Sequence, residues 1–485
     1  MRQLAIVTLG FVVTTAAFVN ACGSEDGKRA VAAEGGAGGA GDAPEPSEGG
    51  SAGTGTSEPG PGGAGGAAPE LGCPEPTSGP TTITADITEP TTWTADGSPY
   101  ELMNAISIRE ALVIEPCVEV LLPGGVVVTV RDQGSIEGIG TPTQPIYIGP
   151  LDPAEPFGQL RTWGLPIDLA YTTIEGGGDL GNIVPESRAM IQAQGLDSMV
   201  ATQEVLTFNN VTVRNSLGIG VLLFDGAGFG AGSADLFVTE NGTFPLSMWG
   251  RAIGTVPTGD YTGNGNDAIF IVGMDAGQQN VIEDATIFDR GVPYQIGNLS
   301  GSVSSRLNIG SDEPAPAPLL TIEPGVELQF GPEGKLYVAR GALSAVGTAD
   351  APIVFTSAAT APAAGDWWGV YFIESPDERS QIDHARVEYA GALSQTGSYS
   401  CIYPDNLNPD AAIRFLGEDP PAGQIVTNTM IRDSAGHAFD RGWVGDEIDF
   451  TPSNTLESVA RCQQTYPRPS PPGTCPVPPP CEAVE

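Results

Sequence analysis

The sequence predicts an all-β solenoid in which short strands coil and stack rung upon rung, behind a disordered linker rich in Gly, Pro and Ser. Three observations lead there. The stretch "LTIEPGVELQFGPEGKLYVARGALSAVGTADAPIVFTS", Leu320 to Ser357, writes short alternating strands, punctuates each with Gly or Pro, and never inserts a helix. A blurred copy of the same text sits near residue 114, and internal repeats at a fixed period dictate the fold. A shorter repeat lies inside each copy. Without helices to serve as crossovers, a chain of short strands can bury its apolar faces by coiling back onto the previous turn. Tandem β-sandwiches also fit evenly spaced short strands, but they leave the rung-like repeats unexplained.

The chain opens "MRQLAIVTLGFVVTTAAFVNACGSEDG". Arg2 supplies a short basic region, and Leu4 to Val19 form an uncharged apolar run. That is signal-peptide anatomy over residues 1–21, too short and weakly flanked for a membrane span. The closing "VNAC" resembles the lipobox of bacterial lipoproteins, although Asn20 stands where a small or aliphatic residue is usual. The resemblance implies cleavage before Cys22 and a lipid on its sulfur, anchoring the protein to a membrane. Two or three acyl chains hold where one does not, since each buried methylene contributes about 0.8 kcal/mol. Gly23 follows the cysteine where Asp would resemble inner-membrane retention, which points to the outer membrane. Ordinary secretion with a free cysteine is the plainer alternative.

Residues 22–80 are Gly, Ala, Ser, Pro and Glu with no aromatic until the body begins, a composition that cannot bury a core. A coil of about fifty such residues reaches roughly 35–45 Å. It suits a tether that holds a folded body away from a lipid surface. The formal charge is −39, with only 20 Lys+Arg. Nothing here displaces counterions from nucleic acid or anionic headgroups, so neither is an expected partner. Acidity of this degree serves solubility and cation tolerance.

The body divides into a first repeat, 81–310, and a second, 311–460, ahead of a Pro/Cys-rich tail, 461–485. "IEPCVEVLLPGG" from Ile114 aligns with "IEPGVELQFGPEG" from Ile322, an offset of 208 (322 − 114). "GSIEGIGTPTQPIYIG" from Gly134 then aligns with "GALSAVGTADAPIVFT" from Gly341 at 207, and Trp163-Gly164 is matched to Trp368-Gly369. The shorter repeat appears as "VTVRNSLGIGV" from Val211 and "TMIRDSAGHAF" from Thr429, with looser versions at Phe237, Thr286 and Arg386. Each is a strand of about five residues closed by a polar turn and a Gly that tolerates positive φ. Val213, Ile287, Val387 and Ile431 should point into one apolar interior. Helical spacing survives only at "YELMNAISIREAL", Tyr100 to Leu112, where Leu102, Ile106, Arg109 and Leu112 suggest an amphipathic face.

Seven cysteines become six once Cys22 carries lipid, an even number in an exported protein. Proximity alone favours Cys73–Cys117, Cys401–Cys462 and Cys475–Cys481. The absence of CxxC spacing argues against a zinc or redox site.

The passages from Leu320 to Ser357, "GDWWGVYF" and "IDHARVEYAG" together resemble bacterial exported proteins with right-handed parallel β-helix repeats, the pectate-lyase-like superfold. The resemblance is close over Pro318 to about Asp440 and weaker over Ala111 to Gly291. It implies a fold and says little of chemistry, because that fold hosts lyases, hydrolases, adhesins and inert stalks alike.

Candidate chemistry is sparse. His437 invites comparison with catalytic histidines of β-helical pectin hydrolases, but the internal repeat places it where Ile219 stands, a packing position. His384 sits in a strand, facing outward, and neither histidine has the neighbours of a catalytic zinc set. Glycosidases need two carboxylates across one bond, and a chain with 59 acids contains such pairs by chance. Asp433, Asp440 and Arg441 lack the spacing of the lyase calcium and arginine motif. "GDYTGNGNDA" could curl Asp260, Asn264 and Asp267 around calcium, yet Ile271 stands where an EF-type loop has Glu, which favours a plain turn. In "DWWGVY", Trp367 and Trp368 face opposite ways in a strand, so at most one is open to a sugar while the other joins the core, and core or edge-capping is the favoured reading.

The expectation is a lipid-anchored, non-catalytic envelope protein without cofactor or metal. Its solenoid would offer a surface to a glycan or an envelope protein, or act as a spacer. A carbohydrate-active β-helix enzyme, polysaccharide lyase or glycoside hydrolase, is the alternative. Scarcity of basic residues counts against it, since polyuronate clefts need positive charge. If Cys22 is lipidated, Cys22→Ser shifts the protein from the membrane to the soluble fraction on ultracentrifugation. Unchanged membrane retention of that variant overturns the anchor.

Overall fold

The computed structural model describes residues 72–181, 188–196, 202–273, 281–298, 305–310, 316–401, 409–417, 419–421, 423–470 and Cys475. The signal segment, Cys22, most of the linker and Cys481 lie outside these. Among the described residues the chain is a parallel β-helix: every ladder between neighbouring strands is parallel. In the second repeat each turn of the coil carries three strands. Leu319–Ile322, Glu327–Phe330 and Lys335–Ala339 pair in turn with Ala342–Val346, Ile353–Ser357 and Gly369–Ile373.

A 13-stranded sheet runs the whole length, from Ile106–Ile108 to Thr455–Val459, so the two repeats form one solenoid. The other faces do not continue unchanged. A 12-stranded sheet covers most of the first repeat and ends at Gly259–Asp260, and two five-stranded sheets take over from Ala285–Ile287 and Arg306–Ile309 into the second. The repeats are also laid down one face out of step. Glu119–Leu122 belongs to the 12-stranded sheet, whereas its sequence counterpart Glu327–Phe330 lies in the 13-stranded one. The change falls around a 3₁₀ segment, Gly250–Thr255, which replaces a strand. The pairing of Trp163-Gly164 with Trp368-Gly369 is corrected by this geometry. Trp163 ends the strand Gln159–Trp163, whereas Trp368 precedes the strand Gly369–Ile373.

The short repeat is a corner. In four of the five copies the equivalent position, Asn215, Glu240, Tyr389 and Asp433, adopts the left-handed conformation, with φ of 60°, 57°, 61° and 53°, whereas in the Thr286 copy Gly291 takes it instead of Asp289. After Asn215, Ser216 Oγ donates to the Ile219 carbonyl and accepts from the Gly218 amide. Ser434 repeats both contacts with His437 and Gly436. Gly218 and Gly436 are required by close approach, because a Cβ would collide with the carbonyls of Arg188 and Asp410 on the preceding rung. Asparagines lock other corners. Asn264 Nδ2 donates to Val238 of the preceding rung, and Asn454 Nδ2 does the same to Val426.

Inward side chains form one continuous core that contains Val213, Ile287, Val387 and Ile431, all fully buried. Toward the C-terminal end, aromatic rings stack along the axis. Phe415 lies 5.2 Å from both Phe372 and Phe450, nearly parallel to each.

The helix expected at Tyr100 to Leu112 is absent. The segment forms three strands, Tyr100–Leu102, Ile106–Ile108 and Ala111–Ile114, that turn two corners. Leu102, Ile106 and Leu112 are buried, one from each strand, so steps around the coil imitated helical spacing. Arg109 points out and pairs with Asp86 and Asp132.

Cys73–Cys117 forms as expected, with Cα atoms 5.4 Å apart. The other two pairings are corrected: Cys401 bonds Cys475, which rules out both Cys401–Cys462 and Cys475–Cys481. Cys462 is itself disulfide-bonded. Sequence proximity misleads here because the tail returns along the last rung, bridging Gln464 to Phe439 and Tyr466 to Cys401.

The register makes a direct prediction at Ile431, which pairs with Val387 in the 13-stranded sheet. Ile431→Asp buries an unpaired charge and should cost about 4 kcal/mol or more, read as a large fall in melting temperature. An unchanged melting temperature contradicts this register.

Candidate functional site

Two outward-facing regions carry side chains beyond what stacking requires. The first is built by the adjacent tryptophans. Trp367 is fully buried, stacks on Phe330 at 4.3 Å and donates from Nε1 to the Glu388 carbonyl at 2.7 Å. Trp368, just ahead of the strand Gly369–Ile373, is half-buried and lines a cleft of ≈ 470 Å³. Gln295, Glu333, Ser357 and Asp366 supply its polar rim, Gly331 part of its floor, and exposed Leu393 one lip. Lys335 Nζ lies 4.1 Å from the Trp368 ring centroid, a cation–π contact that fixes the indole from one side. The indole N–H is buried and meets no acceptor among the described residues. Asp366 is held in place by Ser357 Oγ at 2.6 Å and the Ala363 amide at 2.9 Å.

The second region lies on the outer face of the five-stranded sheet that contains Gly369–Ile373, Ala411–Leu416 and His437–Gly442. Tyr371, Arg414 and Asp440 are ladder neighbours there. All three are buried because the segment 389–401 crosses over them. Arg414 Nη1 meets Asp410 at 3.0 Å and Nη2 meets Asp440 at 3.1 Å, with the guanidinium 5.0 Å from the Tyr371 ring. Ser394 donates to Asp410, and Ser400 and Thr465 donate to Asp440 at 2.8 and 3.0 Å. The covering segment also accepts from Arg414 through the Thr396 carbonyl at 3.0 Å. Burial disfavours the arginine charge, but Asp440, Tyr371 and Asp410 outweigh it and hold the guanidinium above its ordinary pKa. Burial pushes the Tyr371 hydroxyl up, against the pull of Arg414.

This cluster contains Asp440, a sequence candidate, and gives it a structural task. Two carboxylates flank one arginine with no access to solvent, whereas glycoside hydrolysis needs carboxylates on either side of a bound sugar. Asp433 is not brought to it; it sits at a left-handed corner. Arg441 turns away, donating to the carbonyls of Thr465 and Ile448 at the base of the tail. His437 is buried, and its Nδ1 accepts the Cys462 amide at 3.1 Å. His384 is a corner residue rather than a strand residue, with φ 48° and Nδ1 2.7 Å from Asp383. In "GDYTGNGNDA", Asp260 accepts from Thr262 and Asp267 from the Asn264 amide, so these oxygens close the turn. No cluster with metal-ligand geometry occurs among the described residues.

Sequence reasoning missed Arg414, Asp410, Ser394 and Tyr371. The available signal was the lone cation in "AAIRFL", a strand that is otherwise apolar. The chain matches no family model, no curated protein and no solved structure.

Breaking the buried triad should be costly. Arg414→Leu leaves Asp410 and Asp440 uncompensated and should destabilise by about 3–5 kcal/mol, measured by denaturant unfolding. The triple variant Arg414→Leu, Asp410→Ala, Asp440→Ala should recover part of that loss.

Proposed function

We propose that this protein is a lipid-anchored envelope protein whose solenoid binds a glycan without cleaving it. The Trp368 cleft carries the reading. It combines a fixed aromatic face with amide, hydroxyl and carboxylate groups at its rim, the composition of a site that holds a small polar ligand by its apolar face. Asp440, the sequence candidate that lies in the buried cluster, is instead tied to Arg414 and to the hydroxyls of Ser400 and Thr465. The lipobox-like Cys22 and the tether supply the anchor, and Gly23 favours the outer membrane.

The test is a binding screen of the full chain against neutral and acidic polysaccharides, with product analysis for reducing or unsaturated ends. Binding without product is expected, and Trp368→Ala should weaken it about tenfold or more without lowering the melting temperature. Cleavage by the wild type that is lost in His437→Ala or Asp440→Asn, with the fold intact, replaces this reading with an enzyme.

A further inference from the structure

The Trp368 cleft lies at the end of a longer feature. Strand register in the 13-stranded sheet sets outward side chains in files along the solenoid axis. One file runs Trp163, Gln194, Phe224, then Trp249, Val272 and Gly297. Its next rung is Gly331, part of the cleft floor. Trp163 is 41 % exposed, and Phe224 and Trp249 are half-buried, with ring centroids 6.3 Å apart. Arg161 lies over the Trp163 ring at 5.5 Å and holds it in place as Lys335 holds Trp368. Where the file reaches the cleft it passes the Phe270 ring, which lies over the buried Gly297, and then Gly331, which has no side chain of its own.

Resting on the glycan reading above, we propose that this file is an extended binding track for a linear, uncharged polysaccharide lying along the solenoid axis. Six ladder steps separate the strand of Trp163 from that of Gly331, about 29 Å at ~4.8 Å per step. One step is close to the length of one pyranose ring in an extended chain, so the file spans about five to six rings. Aromatic faces at the far end and the Trp368 indole at the near end meet the apolar faces of such rings. The amide of Gln194 and that of Gln295 on the adjacent file provide hydrogen-bonding edges between them. The occupant is uncharged because the chain carries a net charge of −39, which repels a polyanion along any extended contact.

The experiment measures affinity of the full chain for β-1,4-linked glucose oligomers and β-1,4-linked N-acetylglucosamine oligomers of increasing length. Affinity in at least one series should climb from trisaccharide to about eight rings. Trp163→Ala, at an exposed position, and Trp249→Ala, checked by melting temperature, should remove the gain with length, roughly tenfold when combined, and leave trisaccharide affinity unchanged. Trp368→Ala should weaken both lengths. A plateau at the trisaccharide, or a gain that survives Trp163→Ala and Trp249→Ala, overturns the track and leaves the cleft standing. Tighter binding of oligouronides than of either neutral series overturns the uncharged occupant. No binding of any oligomer by the wild type overturns the track and the glycan reading together.

Discussion

In a parallel coil, every strand amide and carbonyl is answered by the rung before and the rung after, so corners must superimpose as well as strands. A backbone that turns by way of ordinary right-handed or extended conformations drifts out of register. Left-handed residues turn it sharply and in place, and they recur at stacked positions with polar or charged side chains as well as glycine. The rest of the architecture answers to this requirement. Ser216 and Ser434 bind the amides and carbonyls that a sharp corner leaves unpaired, and Asn264 and Asn454 reach back one rung to do the same. Inward positions are then mostly apolar, and a buried hydroxyl such as Thr162 finds a backbone carbonyl, that of Leu165.

The same rule sharpens the contrast between the two outer regions. Where the chain covers its own outer face, under segment 389–401, a charged side chain can survive only inside a closed set of partners, and Arg414 has them. Where the outer face is left open, the Trp368 ring is steadied by Lys335 and the Trp163 ring by Arg161, while Phe224 and Trp249 lean on each other. Burial thus ties Asp440 to Arg414, Ser400 and Thr465, while Trp163 and Trp368 stay partly exposed.

Much of the fold was legible in the sequence because stacking imposes period on the text. The duplication, the polar–Gly corners and the inward positions Val213, Ile287, Val387 and Ile431 all reflect a local rule repeated many times. The failures share a cause too. Tyr100 to Leu112 turns two corners in so few residues that its apolar spacing matches a helix, and only the ladder to neighbouring rungs distinguishes them. The slip of one face between repeats is invisible because both copies write the same strand order. Cys401–Cys475 could not be read from spacing, since the tail's return along the last rung is a tertiary event. Of the candidate site, the opposite facing of Trp367 and Trp368 was legible, although both precede the strand Gly369–Ile373 and the sequence favoured a packing role for the pair. The Arg414 cluster did not, because residues far apart in sequence meet only once the rungs stack.

The Cys73–Cys117 bond has a mechanical consequence. The first strand, Thr81–Ile83, is an edge strand held by one ladder to Tyr100–Leu102, which in turn pairs with Glu119–Leu122. A pull on the chain ahead of Gly72 does not reach that edge first. It enters the body at Cys73, crosses the disulfide, and is delivered to Cys117, beside Glu119–Leu122 and two ladder steps in from the end. The load therefore passes around the weakest strand instead of peeling it, and the outermost rung stays slack while the interior of the coil carries the tension.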